Sequence, residues 1–172
     1  MNRLSSVLTI ICLFFSICIA SCITDEEADN NTGLTEGDKL PEFTVEMSDG
    51  KIVSSSDFSG YRGIIAFFNT DCRDCQQELP KLQRVYERTK DNVMWIAIAR
   101  NENNASISKF WSANHLSIPY SPQPDRHIFE LFASNGIPRL YLTADGIITH
   151  VFRPENIPAE EPLYKLLTGE QL

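Results

Sequence analysis

The sequence predicts an α/β fold: a central mixed β-sheet flanked by helices, with an N-terminal β-hairpin. Two continuous apolar runs, residues 63–68 and 93–99, are typical of strands buried on both faces, and the segment between them has helical spacing. Residues 138–142 and 147–152 indicate two further strands, joined by the hairpin signal Asp-Gly at 145–146. A parallel β-α-β half followed by an antiparallel β-β-α half gives one mixed sheet.

The other elements follow in chain order. Residues 43–47 alternate between apolar and polar, and residues 51–54 return after a Ser-Asp-Gly turn, which predicts the N-terminal hairpin. The helix between the buried strands spans residues 72–90, with Pro80 inside it as a kink. Three shorter helices are expected further along: one capped by Asn104, one capped by Asp125 and one over residues 162–167.

Composition limits the class of function. The chain has 172 residues, enough for one domain and a targeting segment, and 42% of them are hydrophobic, which suits a globular core. Its formal net charge is −8. Because nucleic-acid binding needs Lys and Arg to displace counterions from phosphates, this charge argues against a nucleic-acid partner.

The N-terminus is typical of an export signal. Arg3 is the only charged residue among the first 24, and residues 4–20 are mostly apolar but short for a permanent span of about 20 apolar residues. The stretch ends in Ile-Ala-Ser before Cys22, which resembles the lipobox of bacterial lipoproteins. The resemblance implies a signal peptide at residues 1–21 and a lipid on Cys22 that anchors the protein to a bacterial membrane. An uncleaved anchor or an ordinary cleaved signal is the alternative.

The mature chain divides into two parts. Residues 22–36 are acidic and polar, and predict a flexible tether between the lipid and the domain. Residues 37–172 are expected to form a single domain without internal repeats. The protein is therefore expected in the cell envelope, facing the periplasm or the cell exterior.

Cysteine usage points to redox chemistry. Of five cysteines, Cys12 and Cys18 leave with the signal peptide and Cys22 carries the lipid, so only Cys72 and Cys75 remain as thiols. A structural zinc site normally needs four N or S ligands, and no second cysteine pair is present, so no metal is expected. The protein is expected outside the cytosol, where disulfides persist.

The Cys72-Arg-Asp-Cys75 motif sits where the first buried strand gives way to a helix. Cys72 then lies at a helix N-terminus, where unpaired N–H groups and the macrodipole favour the thiolate that attacks disulfides. Cys75, one turn on, would resolve the mixed disulfide. Because two cysteines three apart close almost no loop, a purely structural bond there would stabilise little. The motif predicts a redox-active disulfide and no other cofactor.

From Gly-x-x-x-Pro-x-Phe at residues 37–43 to the last helix, the chain resembles extracytoplasmic thioredoxin-like oxidoreductases of the TlpA (ResA) type. The most specific part is Cys72-x-x-Cys75-x-x-Glu78-Leu-Pro80. The resemblance implies a thioredoxin-like fold and a thiol–disulfide oxidoreductase that reduces disulfides of exported proteins and takes electrons from a membrane donor. In that family a Glu at the position of Glu78 lies near the active site, and its ionisation tunes the pair.

Gly136-Ile137-Pro138 is the second specific element. The resemblance implies that Pro138 follows a cis peptide bond opposite the reactive pair, and that the backbone at Ile137 pairs with the substrate as an added strand. Two positions depart from the family: Asp71 replaces the usual Trp, and Ala66 stands where thioredoxin has a buried Asp. Redox potential and partner choice therefore stay open.

Two rival functions use a similar fold. A peroxiredoxin-like peroxidase needs Pro and Thr at set positions before the cysteine, and Ile65 and Asn69 occupy them here. A Sco-like copper-binding module would use two thiolates and a His, for which His150 is the candidate. In Sco-like modules the two cysteines are usually one residue further apart than Cys72 and Cys75 are here.

Overall fold

A computed structural model of the protein describes residues 33–170. The predicted signal peptide (1–21) and the predicted lipidation site Cys22 lie outside these residues. Within the described part, none of the helices is both long and apolar enough to cross a membrane.

The N-terminal hairpin is present. Strands β1 (Thr44–Glu46) and β2 (Ile52–Ser54) pair antiparallel and form a two-stranded sheet of their own. A 3₁₀ helix, Ser55–Phe58, follows directly and brings the ring of Phe58 into the core.

The central sheet has five strands. They are β3 (Arg62–Phe68), β4 (Val93–Ala99), β5 (Tyr120–Ser121), β6 (Arg139–Ala144) and β7 (Ile147–Phe152). Their spatial order is β5-β4-β3-β6-β7; the β3–β4 and β4–β5 pairs are parallel, and the β3–β6 and β6–β7 pairs are antiparallel. The predicted mixed sheet is confirmed. The two-residue edge strand β5 was not predicted, because so short a segment has no periodicity to detect.

The helices differ from prediction mainly at their ends. They are α1 (Arg73–Thr89), α2 (Asn104–Ala113), α3 (His127–Glu130) and α4 (Glu160–Thr168). The cap of α2 is Asn103, not Asn104, since the Asn103 side chain accepts a hydrogen bond from the Ser106 N–H at 3.1 Å. The cap position of α3 is Arg126; Asp125 still contributes by accepting a bond from the His127 N–H at 2.9 Å.

Side chains cover both faces of the sheet. Phe67 and Phe68 are successive residues of β3, so they point to opposite faces. The centre of the Phe67 ring lies 5.3 Å from that of Phe129 and 4.9 Å from that of Phe132. On the other face, the ring centres of Phe68 and Trp111 of α2 are 4.8 Å apart. Helix α1 packs against α4. A strand covered on both faces explains why its sequence is a continuous apolar run.

Ordered contacts begin earlier than predicted. The flexible tether was expected to extend through residue 36, but the Leu34 N–H donates to the Phe132 carbonyl at 2.8 Å and Gly33 forms a β-bridge with Ala133. A Cβ at Gly33 would approach the Phe132 oxygen to 3.0 Å, which favours glycine at this contact. The contact depends on backbone groups, which composition does not reveal.

Candidate active site

The site lies beyond the carboxyl ends of β3 and β4, which end side by side with Phe68 opposite Ala99. Cys72 is the N-cap residue of α1, and its Sγ accepts a hydrogen bond from the Cys75 N–H at 3.4 Å. Both cysteines are free thiols; Cys72 is partly exposed and Cys75 is buried. A reagent can therefore reach the first sulfur while the second is shielded by the helix.

The two thiols differ electrostatically. Burial, and then the hydrogen bond with Cys72, raises the pKa of Cys75 far above its usual range, and the positive charge of Arg100 opposes this only in part. The Cys75 thiol is consequently protonated at neutral pH. Such a group reacts only after it loses its proton.

The loop before β6 faces the first sulfur. The Ile137–Pro138 peptide bond is cis, as the resemblance implied. The Cys72 thiol lies 3.6 Å from the Ile137 carbonyl oxygen, to which it donates a weak hydrogen bond. Backbone of residue 137 is thus next to the exposed cysteine. Both side chains of the Ile-Pro pair are buried, so backbone rather than side chains would meet a partner here.

Glu78 is placed one turn beyond Cys75, on α1. Its carboxylate pairs with the Lys81 ammonium at 2.7 Å, and 20% of its side chain is exposed. Among residues 33–170, no hydrogen bond joins Glu78 to either sulfur atom.

Glu102 supports the turn before Cys72, and sequence reasoning missed it. It is only 9% exposed, and its carboxylate accepts two hydrogen bonds from Thr70: one from the N–H at 2.7 Å and a very short one from the hydroxyl. The Gln76 side chain donates to the Thr70 carbonyl at 2.7 Å. Three bonds therefore fix the turn that precedes Cys72.

Arg100 was missed as well. The backbone N–H of Arg100 donates to the Phe68 carbonyl at 2.7 Å. The guanidinium carbon of Arg100 lies 5.3 Å from the centre of the Phe129 ring. Burial lowers the pKa of Arg100, repulsion from Arg126 adds to this, and attraction to the Cys72 and Cys75 sulfurs opposes it.

A sequence signal for both residues did exist. Arg-Asn-Glu at 100–102 follows a buried strand directly, and ligand sites of open α/β sheets lie beyond the carboxyl ends of the strands.

The structure offers no metal cage among the residues it describes. No group of three or more His, Cys, Asp or Glu side chains in residues 33–170 is arranged to hold a metal ion. His150 therefore does not join the cysteine pair as a third ligand. The His150 ring stacks on the Phe152 ring, with 6.0 Å between the ring centres.

The model of the AhpC/TSA family matches residues 36–151 of this chain. The chain belongs to the AhpC/TSA family. This AhpC/TSA protein is 24% identical over 110 residues to the thiol-disulfide oxidoreductase ResA of Bacillus subtilis. The alignment covers 63% of this chain and 62% of ResA, so the match spans less than two thirds of that relative.

The fold of this AhpC/TSA protein is thioredoxin-like, as predicted. Its structure superposes on the thioredoxin domain of a thiol-disulfide oxidoreductase from Bacteroides vulgatus with a TM-score of 0.66. The superposition covers 78% of this chain and 99% of that domain, at 21% sequence identity.

A second relative of this AhpC/TSA protein bears a different name. A Mycobacterium tuberculosis protein, provisionally named a peroxiredoxin, is 29% identical over 126 residues, covering 70% of this chain and 78% of that protein.

Proposed function

We propose that the protein is an extracytoplasmic thiol–disulfide oxidoreductase that works through Cys72 and Cys75 and needs no other cofactor. One observation supports this most: a partly exposed thiol at the start of α1 faces the Ile137 carbonyl, with a buried thiol one turn on. The similarity to ResA, named a thiol-disulfide oxidoreductase, supports the same reaction class.

In the first step, a substrate disulfide docks against the backbone at Ile137 and Pro138 as an added strand. The Cys72 thiolate attacks one substrate sulfur. The substrate S–S bond breaks, a mixed disulfide forms with Cys72, and the second substrate sulfur leaves with the electron pair as a thiolate. The N–H of Cys75, 3.4 Å from the Cys72 sulfur, favours the attacking anion.

In the second step, Cys75 attacks the Cys72 sulfur, the mixed disulfide breaks, and the substrate leaves fully reduced while the pair is oxidised. Because burial raises the pKa of Cys75, this step needs a proton acceptor. We assign that role to the Glu78 carboxylate, one turn further along α1. A Glu78→Gln variant should then slow release from the mixed disulfide more than formation of it.

We further propose that the substrates are exported proteins with disulfides and that a membrane electron donor restores the reduced pair. A lipid on Cys22, after removal of residues 1–21, would hold the domain at a bacterial membrane. The reducing direction follows from the resemblance to reductases. A measured potential near −120 mV, about that of a strong oxidant, would reverse that direction.

Reduction of insulin disulfides tests the proposal. Cys72→Ser should abolish turnover, because no other partly exposed thiol is available within residues 33–170. Cys75→Ser should instead accumulate mixed disulfides that a thiol reductant releases. Full insulin reduction by the Cys72→Ser variant would contradict the assignment of the nucleophile.

A peroxidase is the second candidate, and the similarity to the M. tuberculosis relative named a peroxiredoxin favours it. Ile65 and Asn69 still stand at the positions where the peroxidase motif has Pro and Thr. Rapid consumption of hydrogen peroxide by the reduced protein, lost in Cys72→Ser, would favour this function over disulfide reduction.

A further inference from the structure

The guanidinium of Arg100 contacts the Phe129 ring but has no ion-pair or hydrogen-bond partner among the described residues. Within residues 33–170, no carboxylate lies within 4.0 Å of its guanidinium, and the guanidinium makes no hydrogen bond. Arg126 lies at a similar distance from the Phe129 ring, 5.7 Å, but pairs with Glu130 at 3.5 Å and donates to the Ser134 carbonyl at 2.7 Å. Both arginines contact this ring, but within residues 33–170 only Arg126 also has an ion pair and a hydrogen bond.

An unpaired charge that is partly removed from water costs free energy. Arg100 is partly buried, and the loss of water around it is the main cause that lowers its pKa. A structural role would be served better by an apolar or ion-paired side chain. Charged groups whose pKa is perturbed by burial cluster at functional sites.

The position of Arg100 indicates which negative charge its guanidinium can stabilise. Its carbonyl accepts a hydrogen bond from the Asn69 side chain at 3.3 Å, and the Asn69 carbonyl accepts one from the Cys72 N–H at 3.1 Å. Arg100 is therefore tied through one residue to the turn that carries the nucleophile. Its positive charge acts on both sulfurs, Cys72 and Cys75.

We propose that the guanidinium of Arg100 stabilises the negative charge on the sulfurs of Cys72 and Cys75 during disulfide exchange. The inference rests on the function proposed above. When the Cys75 thiolate attacks Cys72, the new S–S bond forms, the bond to the substrate sulfur breaks, and the electron pair leaves on that sulfur. Arg100 makes and breaks no bond; it lowers the energy of the anion before each attack.

The charges around the pair oppose one another. Asp71 and Asp74 are exposed and carry negative charge beside the nucleophile, and Glu78 adds a third carboxylate that Lys81 neutralises. Arg73 is exposed at the start of α1. Arg100 differs from Asp71, Asp74 and Arg73 because it is partly buried and directly follows the neighbouring strand β4, where water screens its charge less.

The test is the rate at which iodoacetamide alkylates Cys72 at pH 7, measured in a Cys75→Ser background. Arg100→Met keeps the length of the side chain but removes the charge, and should slow alkylation about tenfold, the effect of one nearby opposite charge. Arg100→Lys should restore most of the rate. Arg126→Met, beside the same ring, is the matched control and should leave the rate unchanged.

The reduction potential provides a second readout. Loss of the charge destabilises the reduced, anionic form, so Arg100→Met with both cysteines intact should become more reducing. A tenfold change in the equilibrium constant corresponds to about 30 mV for this two-electron couple. Arg100→Gln gives the same two readouts if Arg100→Met does not fold.

Wild-type rates in the neutral variants would overturn the proposal, as would a Lys variant as slow as the Met variant, because that result indicates a structural role. Insulin reduction by the wild type is measured alongside. If the wild type does not reduce insulin, the proposed function fails, while the alkylation rates still decide whether Arg100 stabilises the anion.

Discussion

Two charged regions of this protein are built in opposite ways. Beyond the ends of β3 and β4, Glu102 is buried and its carboxylate accepts two hydrogen bonds from Thr70. On the surface shared by α1 and α4, Arg84 pairs with Glu160 and Arg88 pairs with Glu161, with side chains 37–59% exposed. Both regions contain glutamate carboxylates, but only the carboxylate of Glu102 is removed from water. Burial therefore decides what a charge contributes.

The physical difference is the surrounding dielectric. A buried carboxylate that accepts two hydrogen bonds interacts strongly, and leaves costly unpaired donors when it is removed. An exposed ion pair gains little, because water and salt screen it and two long side chains lose freedom. Substitutions in the two regions should consequently differ in size, and the following experiments measure that difference.

The largest effect is expected from Glu102→Ala. It leaves the Thr70 N–H and hydroxyl without their acceptor, so the free energy of unfolding should fall by about 3 kcal/mol, measured by urea denaturation. Exchange should slow as well, since the turn before Cys72 loses its support.

Glu102→Gln is the matched control for that prediction. Its amide oxygen can still accept from the Thr70 N–H, and the Thr70 hydroxyl can rotate to accept from the amide nitrogen. Most of the stability should therefore remain. Equal losses in the two variants would show that the negative charge, rather than the hydrogen bonds, holds the turn.

The same contrast explains what the sequence could predict. The apolar runs of β3 and β4 specify buried strands, and the Asp-Gly turn, with positive φ at Asp145 and Gly146, specifies the last hairpin. The two cysteines were found because their spacing at a strand–helix junction has chemical meaning. Glu102 and Arg100 were not, because their importance depends on neighbours from other strands, and a charged residue after a strand is ordinarily solvated.

A smaller effect on the free energy of unfolding is expected from the ionisation of Cys75 in the reduced protein. Its folded pKa is raised by burial, so the unfolded chain loses this proton first as pH rises. The stabilisation is complete below the usual thiol pKa near 8.5 and should decline as pH rises above it. Urea midpoints measured from pH 7.5 to about 9.5 should fall in the wild type.

The Cys75→Ser variant provides the control, because its buried hydroxyl does not titrate in that range. Its midpoint should decline less steeply than that of the wild type over the same pH values. Identical slopes would mean that Cys75 is not shielded from solvent. Tyr141, whose pKa burial also raises, contributes only above about pH 10 and so does not interfere.

The smallest effect is expected at the helix surface, from Glu160→Gln. The ion pair with Arg84 lowers the pKa of Glu160, so any stabilisation is present above the usual Glu pKa of about 4.3 and is lost as pH falls below it. Because the pair is exposed, the variant should match the wild-type urea midpoint at pH 7 within error. A clear loss of stability at pH 7, comparable to that of Glu102→Ala, would mean that the α1–α4 surface depends on its charges as much as the buried site does.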